Sequence, residues 1–127
     1  MKTILVDAVN AFVSEEGIIF QEMYNMLEKF SNKKVILTNA NDEEMKLYGL
    51  DKVPYMVFTL KHSPNKTDAE YYKKMLEHFN LNINDVVYFE HNKEAVNSAE
   101  LIGIKTYYYN DDRKNLEDLE NFLKENL

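Results

Sequence analysis

Five polar clusters in this sequence follow apolar runs, and together they hold the residue types that handle a phosphate group. Asp7 closes TILVD; Thr38 and Asn39 follow VIL; Lys61, His62 and then Lys66 follow MVFTL; Glu90 and His91 follow VVYF; and Asn110, Asp111 and Asp112 follow TYYY. Bound phosphate with a divalent cation needs a carboxylate nucleophile or ligand, a hydroxyl and an ammonium to hold the oxygens, and a second acid for the metal. Asp7, Thr38, Lys66 and Glu90 supply those types in chain order. Polar residues end most strands, so each also has a purely structural reading. Asp7 can cap a turn, Thr38 and Asn39 can turn the chain, Lys66 can be a solvated lysine at a helix start, and Glu90 can face a helix dipole. His62 and His91 read equally well as surface or packing histidines, and Asp111 and Asp112 as loop acids.

The elements that must position these residues follow from periodicity. Short β-rich runs stand at 3–7, 35–38, 55–59, 86–90 and 105–109. Between them apolar residues recur at three- and four-residue steps: Ile19, Met23, Met26, Leu27 and Phe30; Tyr72, Met75, Leu76 and Phe79; Ala95, Ala99 and Ile102. Asn115 stands where it can cap a last helix carrying Leu116, Leu119, Phe122 and Leu123, and Gly103 where a helix ends before the fifth strand. Strands alternating with helices predict a three-layer α/β domain of Rossmann-like type, a five-stranded parallel sheet with helices on both faces. In such sheets ligands bind beyond the carboxyl ends of the strands, where the polar clusters lie. The Tyr107–Tyr109 run reads as a half-buried strand rather than a base-stacking platform.

With 127 residues and 45% hydrophobic content, the chain matches one domain with one core, residues 1–127. A formal charge of −7, with lysines scattered among acids, argues against a nucleic-acid partner. The absence of cysteine excludes disulfides and thiolate metal sites and suits the cytoplasm. The first residues do not form a signal peptide, and no run approaches the roughly eighteen apolar residues of a membrane helix.

These residues and their spacing resemble the haloacid dehalogenase-like (HAD) hydrolases. ILVDAVNAFV is similar to the family's first motif, a strand ending in D-x-D, and VILTNAN to its second, a strand ending in Ser or Thr. NKTDAEYYKKML resembles the family's K-P-D-P-E-x-Y stretch, and VVYFEHNKEAVNSAELIGIKTYYY its fourth motif, with acids at the strand end and a helix closing in A-x-x-x-G-I-K-T. The run from Lys66 to Thr106 is the specific part, matching in spacing as well as residue type. About thirty residues separate Asp7 from Thr38, and neither that interval nor the one from Lys66 to Glu90 has room for a separate cap domain. The resemblance therefore implies a capless member, with a site open to solvent or closed by a partner, a larger substrate or a second copy of the chain.

Carried over residue by residue, the resemblance implies Asp7 as nucleophile, Thr38 and Asn39 on the phosphoryl oxygens, and Lys66 neutralising nucleophile and substrate. It implies magnesium held by Asp7, the Val9 carbonyl, Glu90 and His91. The departures fall at the chemistry itself. The acid two residues after the nucleophile, which protonates the leaving oxygen and activates water, is replaced by Val9; loss of such proton transfer costs about 10²- to 10⁴-fold in rate. Ala11 and Asn10 replace the usual Thr or Val and Gly, and Glu90–His91 stands where the family has two acids. Two readings follow: a magnesium-dependent phosphatase-type hydrolase of a small phosphorylated substrate lacking its general acid/base, or a HAD-like domain without turnover that serves as a binding, regulatory or assembly module. A response-regulator receiver shares the sheet but places a phosphorylated Asp at the end of its third strand, where this chain has Thr59.

Overall fold

The computed structural model describes residues 1–127 as a five-stranded, wholly parallel sheet in the order β3-β2-β1-β4-β5. The strands are β1 (Thr3–Asp7), β2 (Lys34–Thr38), β3 (Met56–Thr59), β4 (Val86–Glu90) and β5 (Lys105–Tyr108). Five helices connect and follow them: α1 (Gln21–Leu27), α2 (Asp42–Leu47), α3 (Ala69–Phe79), α4 (Lys93–Leu101) and α5 (Leu116–Asn126).

Every residue of β1, β2 and β4 is buried, as expected of parallel strands covered on both faces. Because side chains alternate across a strand, Ile4, Val6, Ile36, Val87 and Phe89 pack with Met23 and Leu27 of α1 and Leu119 and Leu123 of α5. Leu5, Val35, Leu37, Val86 and Tyr88 turn to the opposite face and meet Tyr71, Tyr72 and Met75 of α3 and Ala99 of α4. Each fully buried Leu or Met contributes about 1.5–3 kcal/mol relative to exposure, so the two helix layers are held to the sheet by these stripes. Helix α2 is short, buries no residue, and is instead defined by a capping box between Asn41 and Glu44.

The chain runs outward from β1 to β2 and β3, then returns across the sheet to β4 and β5, so the strand order reverses between β1 and β4. That switch point is where open α/β sheets bind ligands. The register pairs Val6 with Phe89, which sets Asp7 and Glu90 side by side at the strand ends. Asn92 caps α4 immediately beyond Glu90, accepting from the backbone N–H groups of Glu94 and Ala95, and Asn115 caps α5 as its position implied.

Several boundaries differ from the periodicity. Helix α1 is shorter than the apolar spacing suggests, because Ile19 pairs with Val13 in an isolated bridge and Phe30 lies past the last turn. β3 begins at Met56 and β5 ends at Tyr108. Tyr109, expected on a half-buried strand, is buried: its N–H donates to the Glu90 carbonyl at 2.9 Å and its ring packs on Phe89. The connection after β1 folds back on itself, with Asn10 in the left-handed region (φ 68°) and Val13 bridging both Val9 and Ile19. This turn presses on the end of α2, where an added Cβ on Gly49 would lie 2.9 Å from the Gly17 carbonyl oxygen.

Candidate functional site

A cavity of about 170 Å³ opens at the carboxyl ends of β1, β2 and β4, and Asp7, Val9, Thr38, Asn39, Lys66, Glu90 and His91 all line it. Every residue assigned a site role from the sequence is thus at one place. Lys66 arrives from the loop between β3 and α3, and the Asn39 side chain fixes that loop by accepting the Lys66 backbone N–H at 2.7 Å. Tyr71 of α3 donates its hydroxyl to the Thr38 carbonyl at 2.9 Å, holding the end of β2. The Thr38 hydroxyl accepts from the Ala40 N–H at 3.2 Å.

The buried centre is a closed network. The Lys66 ammonium donates to Asp7 Oδ1 at 2.9 Å, to Glu90 Oε1 at 2.7 Å and to the Leu37 carbonyl at 3.2 Å, which commits all three of its protons inside the protein. Asp7 Oδ2 accepts from the His91 N–H at 3.0 Å and meets His91 Nδ1 at 2.5 Å. Glu90 Oε1 also accepts the Tyr88 hydroxyl, while Oε2 accepts the Asn92 N–H at 3.0 Å and lies 3.2 Å from His91 Nδ1. Tyr72 extends the network behind Tyr88, hydroxyl to hydroxyl at 3.3 Å.

Charge pairing sets the proton affinities. Burial and the neighbouring Glu90 carboxylate push Asp7 above the usual carboxylate range, against the pull of Lys66 and His91. For Glu90 the burial penalty is outweighed by Lys66 and by hydrogen bonds from His91, Lys66 and Tyr88, so it stays well below that range. Burial opposes the charge on Lys66, yet Asp7 and Glu90 more than offset it and hold the ammonium well above its ordinary value. Burial likewise opposes the His91 imidazolium, but its hydrogen bonds to Asp7 and Glu90 raise it to about 10.

Magnesium, which the resemblance implies, can be tested against these donors. Ligand atoms of Asp7, Glu90 and His91 lie within 4.8 Å of one another, and the Val9 carbonyl accepts no backbone hydrogen bond. All four carboxylate oxygens are nevertheless already occupied by Lys66, His91, Tyr88 and Asn92. His91 contacts both acids through the same nitrogen, as a donor between them. Magnesium demands free hard oxygens in near-octahedral array, and this arrangement does not fit it.

The sequence did not single out Glu44, Asn65, Thr67 and Asn92, which also line the cavity, or Tyr88, whose hydroxyl lies buried against Glu90. Asn92 carried a signal, since an Asn followed by a helical pattern is a cap; Tyr88 carried one too, since two residues before Glu90 on the same strand it shares that acid's face. His62 sits at the rim in a left-handed conformation (φ 68°), with Nε2 2.7 Å from Glu44 Oε1. Asp111 and Asp112 do not join the site: they line a separate cavity of about 680 Å³ beside Phe20 and Tyr109. Thr59 donates to the Ala40 carbonyl at 2.7 Å, a turn-stabilising role.

No protein-family model and no curated protein matches the chain. Solved structures do. A HAD family enzyme from Bacteroides thetaiotaomicron, an Asp-to-Ala variant in complex with magnesium and inorganic phosphate, aligns over 85% of this chain and 93% of its own with TM-score 0.68 at 12% identity. A HAD-superfamily hydrolase of subfamily IA from Geobacter sulfurreducens aligns over 86% and 87% with TM-score 0.66 at 13% identity. The fold is that of the HAD hydrolases. An uncharacterized protein from Corynebacterium glutamicum shares it over 96% of this chain and 95% of its own, with TM-score 0.67 at 19% identity. At such identities the likeness is one of HAD architecture, and this chain's own residues decide its chemistry.

Proposed function

We propose that this HAD-like chain is a capless binding module for a small phosphorylated or phosphate-like ligand, taken up in the cavity above Asp7, and that it does not turn the ligand over efficiently. One observation carries this reading: both oxygens of Asp7 are held, Oδ1 by Lys66 and Oδ2 by His91, so the group at the nucleophile's position is a structural acceptor. Val9 beside it supplies no proton transfer, a loss of about 10²- to 10⁴-fold in rate. Thr38, Asn39, Asn65, Thr67 and the outer edge of His91 line the cavity and provide polar contacts for an oxyanion.

The hydrolase reading keeps one observation in its favour. Lys66 contacts Asp7 at 2.9 Å and Glu90 at 2.7 Å, which is the pairing a phosphoryl-accepting carboxylate needs. It requires Asp7 to be freed from His91, and magnesium would then be held by Asp7, Val9 and Glu90. A screen of activated and natural phosphate esters in magnesium, with wild type, Asp7→Asn and Val9→Asp, separates the two. The binding-module reading, with Asp7 held at both oxygens, expects no turnover above background in wild type, Asp7→Asn or Val9→Asp; wild-type turnover abolished by Asp7→Asn overturns it.

A further inference from the structure

The outermost group of the buried network is His91, and its placement leaves little freedom. It is the first residue after β4, its backbone N–H is bound to Asp7 Oδ2 at 3.0 Å, and the next N–H, of Asn92, is bound to Glu90 Oε2 at 3.0 Å. With the backbone pinned on both sides, Nδ1 falls between the two acids, 2.5 Å from Asp7 and 3.2 Å from Glu90. A bridging position between carboxylates at paired strand ends is where a divalent cation would sit in a carboxylate site. The ring is 25% exposed and lines the cavity. Because Nδ1 is turned inward, the Nε2 edge is the one left for a ligand.

Charge arithmetic agrees with that geometry. Nδ1 of His91 stands between oxygens of Asp7 and Glu90 and so directs a proton at them; with Nε2 also protonated, two carboxylates face two cations, Lys66 and His91, and the cluster needs nothing added. Buried charges are tolerated when paired and hydrogen-bonded, and every oxygen here is. Inserting a divalent ion would expel His91 from both acids and leave the cluster with a net positive charge at its core. Lys66, meanwhile, has no proton free for an incoming anion, so an anion in the cavity depends on the Nε2 side of His91 for its nearest available positive charge.

We propose that His91 is a built-in replacement for the metal of this site: a cationic side chain that bridges Asp7 and Glu90 through Nδ1 and presents Nε2–H to an oxyanion, making the site metal-independent. This rests on the reading of the cavity as an oxyanion site and adds what supplies the positive charge there. The ligand class is a phosphate monoester or inorganic phosphate bound without magnesium.

Manganese(II), a spectroscopic substitute for magnesium, is the probe. Titrated into the 127-residue protein and followed by electron paramagnetic resonance, it should show no saturable site in wild type. His91→Asp, which removes the bridging imidazole and adds a hard oxygen ligand, should bind at least about tenfold more tightly than wild type. Should His91→Asp fold poorly because a third acid enters the cluster, its thermal unfolding midpoint should rise on adding manganese while that of wild type stays put. Stoichiometric manganese binding by wild type, or no difference between wild type and His91→Asp in either measurement, overturns the inference. Phosphate binding measured on the same samples in chelator reports separately on the oxyanion site, so loss of one result does not decide the other.

Discussion

Asp7 and Lys66, fifty-nine positions apart in sequence, meet at 2.9 Å beneath the cavity. Both side chains are nearly excluded from solvent, and the same ammonium reaches Glu90 at 2.7 Å. The pair therefore joins the ends of β1 and β4 to the loop before α3 and holds these elements together.

Removing that ammonium should be severe. Lys66→Met strands two buried carboxylates side by side, and breaking a buried ion pair costs about 3–5 kcal/mol. Urea denaturation at neutral pH should show a loss in that range, part of it recovered by adding Glu90→Gln, which removes one of the stranded charges. A loss below about 1 kcal/mol, typical of surface pairs, would place the lysine outside the network.

His91 makes stability depend on pH in a defined direction. Its folded value, about 10, lies above its ordinary value of 6.5, so folding favours the protonated form. Its contribution is complete below about 6.5 and is lost as pH rises toward 10. The groups facing it are Asp7 from β1 and Glu90 from β4. The difference in urea midpoint between wild type and His91→Gln should shrink steadily across that interval; a difference that stays constant would mean that the imidazole is not charged in its place.

Tyr109 offers the opposite kind of test. Its ring is buried against Phe89, but its hydroxyl has no hydrogen-bond partner. An unsatisfied buried polar group costs about 1–3 kcal/mol. Tyr109→Phe should therefore be neutral or stabilising in thermal unfolding, and marked destabilisation would show that the hydroxyl is satisfied in solution.

Gly49 is constrained by its backbone. It adopts φ 65°, and a Cβ there would meet the Gly17 carbonyl oxygen at 2.9 Å. Gly49→Ala should lower stability by more than about 1 kcal/mol, since alanine reduces chain entropy favourably only where φ is compatible. An unchanged melting temperature would show that the turn after β1 yields without penalty.

The fold was readable because β1, β2 and β4 are buried on both faces and so carry uninterrupted apolar runs, while α3, α4 and α5 keep a helical stripe. The site was readable as a set, since parallel strands deliver Asp7, Thr38 and Glu90 to one edge. What pairwise spacing does not carry is who holds whom. That Lys66 would commit every proton inward, or that His91 would lie across both acids, depends on the register of β1 on β4 and on the bend at His91. Tyr88 was partly legible, because residues two apart on a strand share a face and its ring therefore stands on the Glu90 side; the contact itself depends on the packing of α3.

Calorimetric titration of inorganic phosphate into the wild-type protein, run once in chelator and once in magnesium, tests the central claim most directly. A binding module whose positive charge is built in predicts saturable binding of equal strength in both buffers. Binding that appears only with magnesium would contradict it and return Asp7 to the role of a metal-assisted nucleophile.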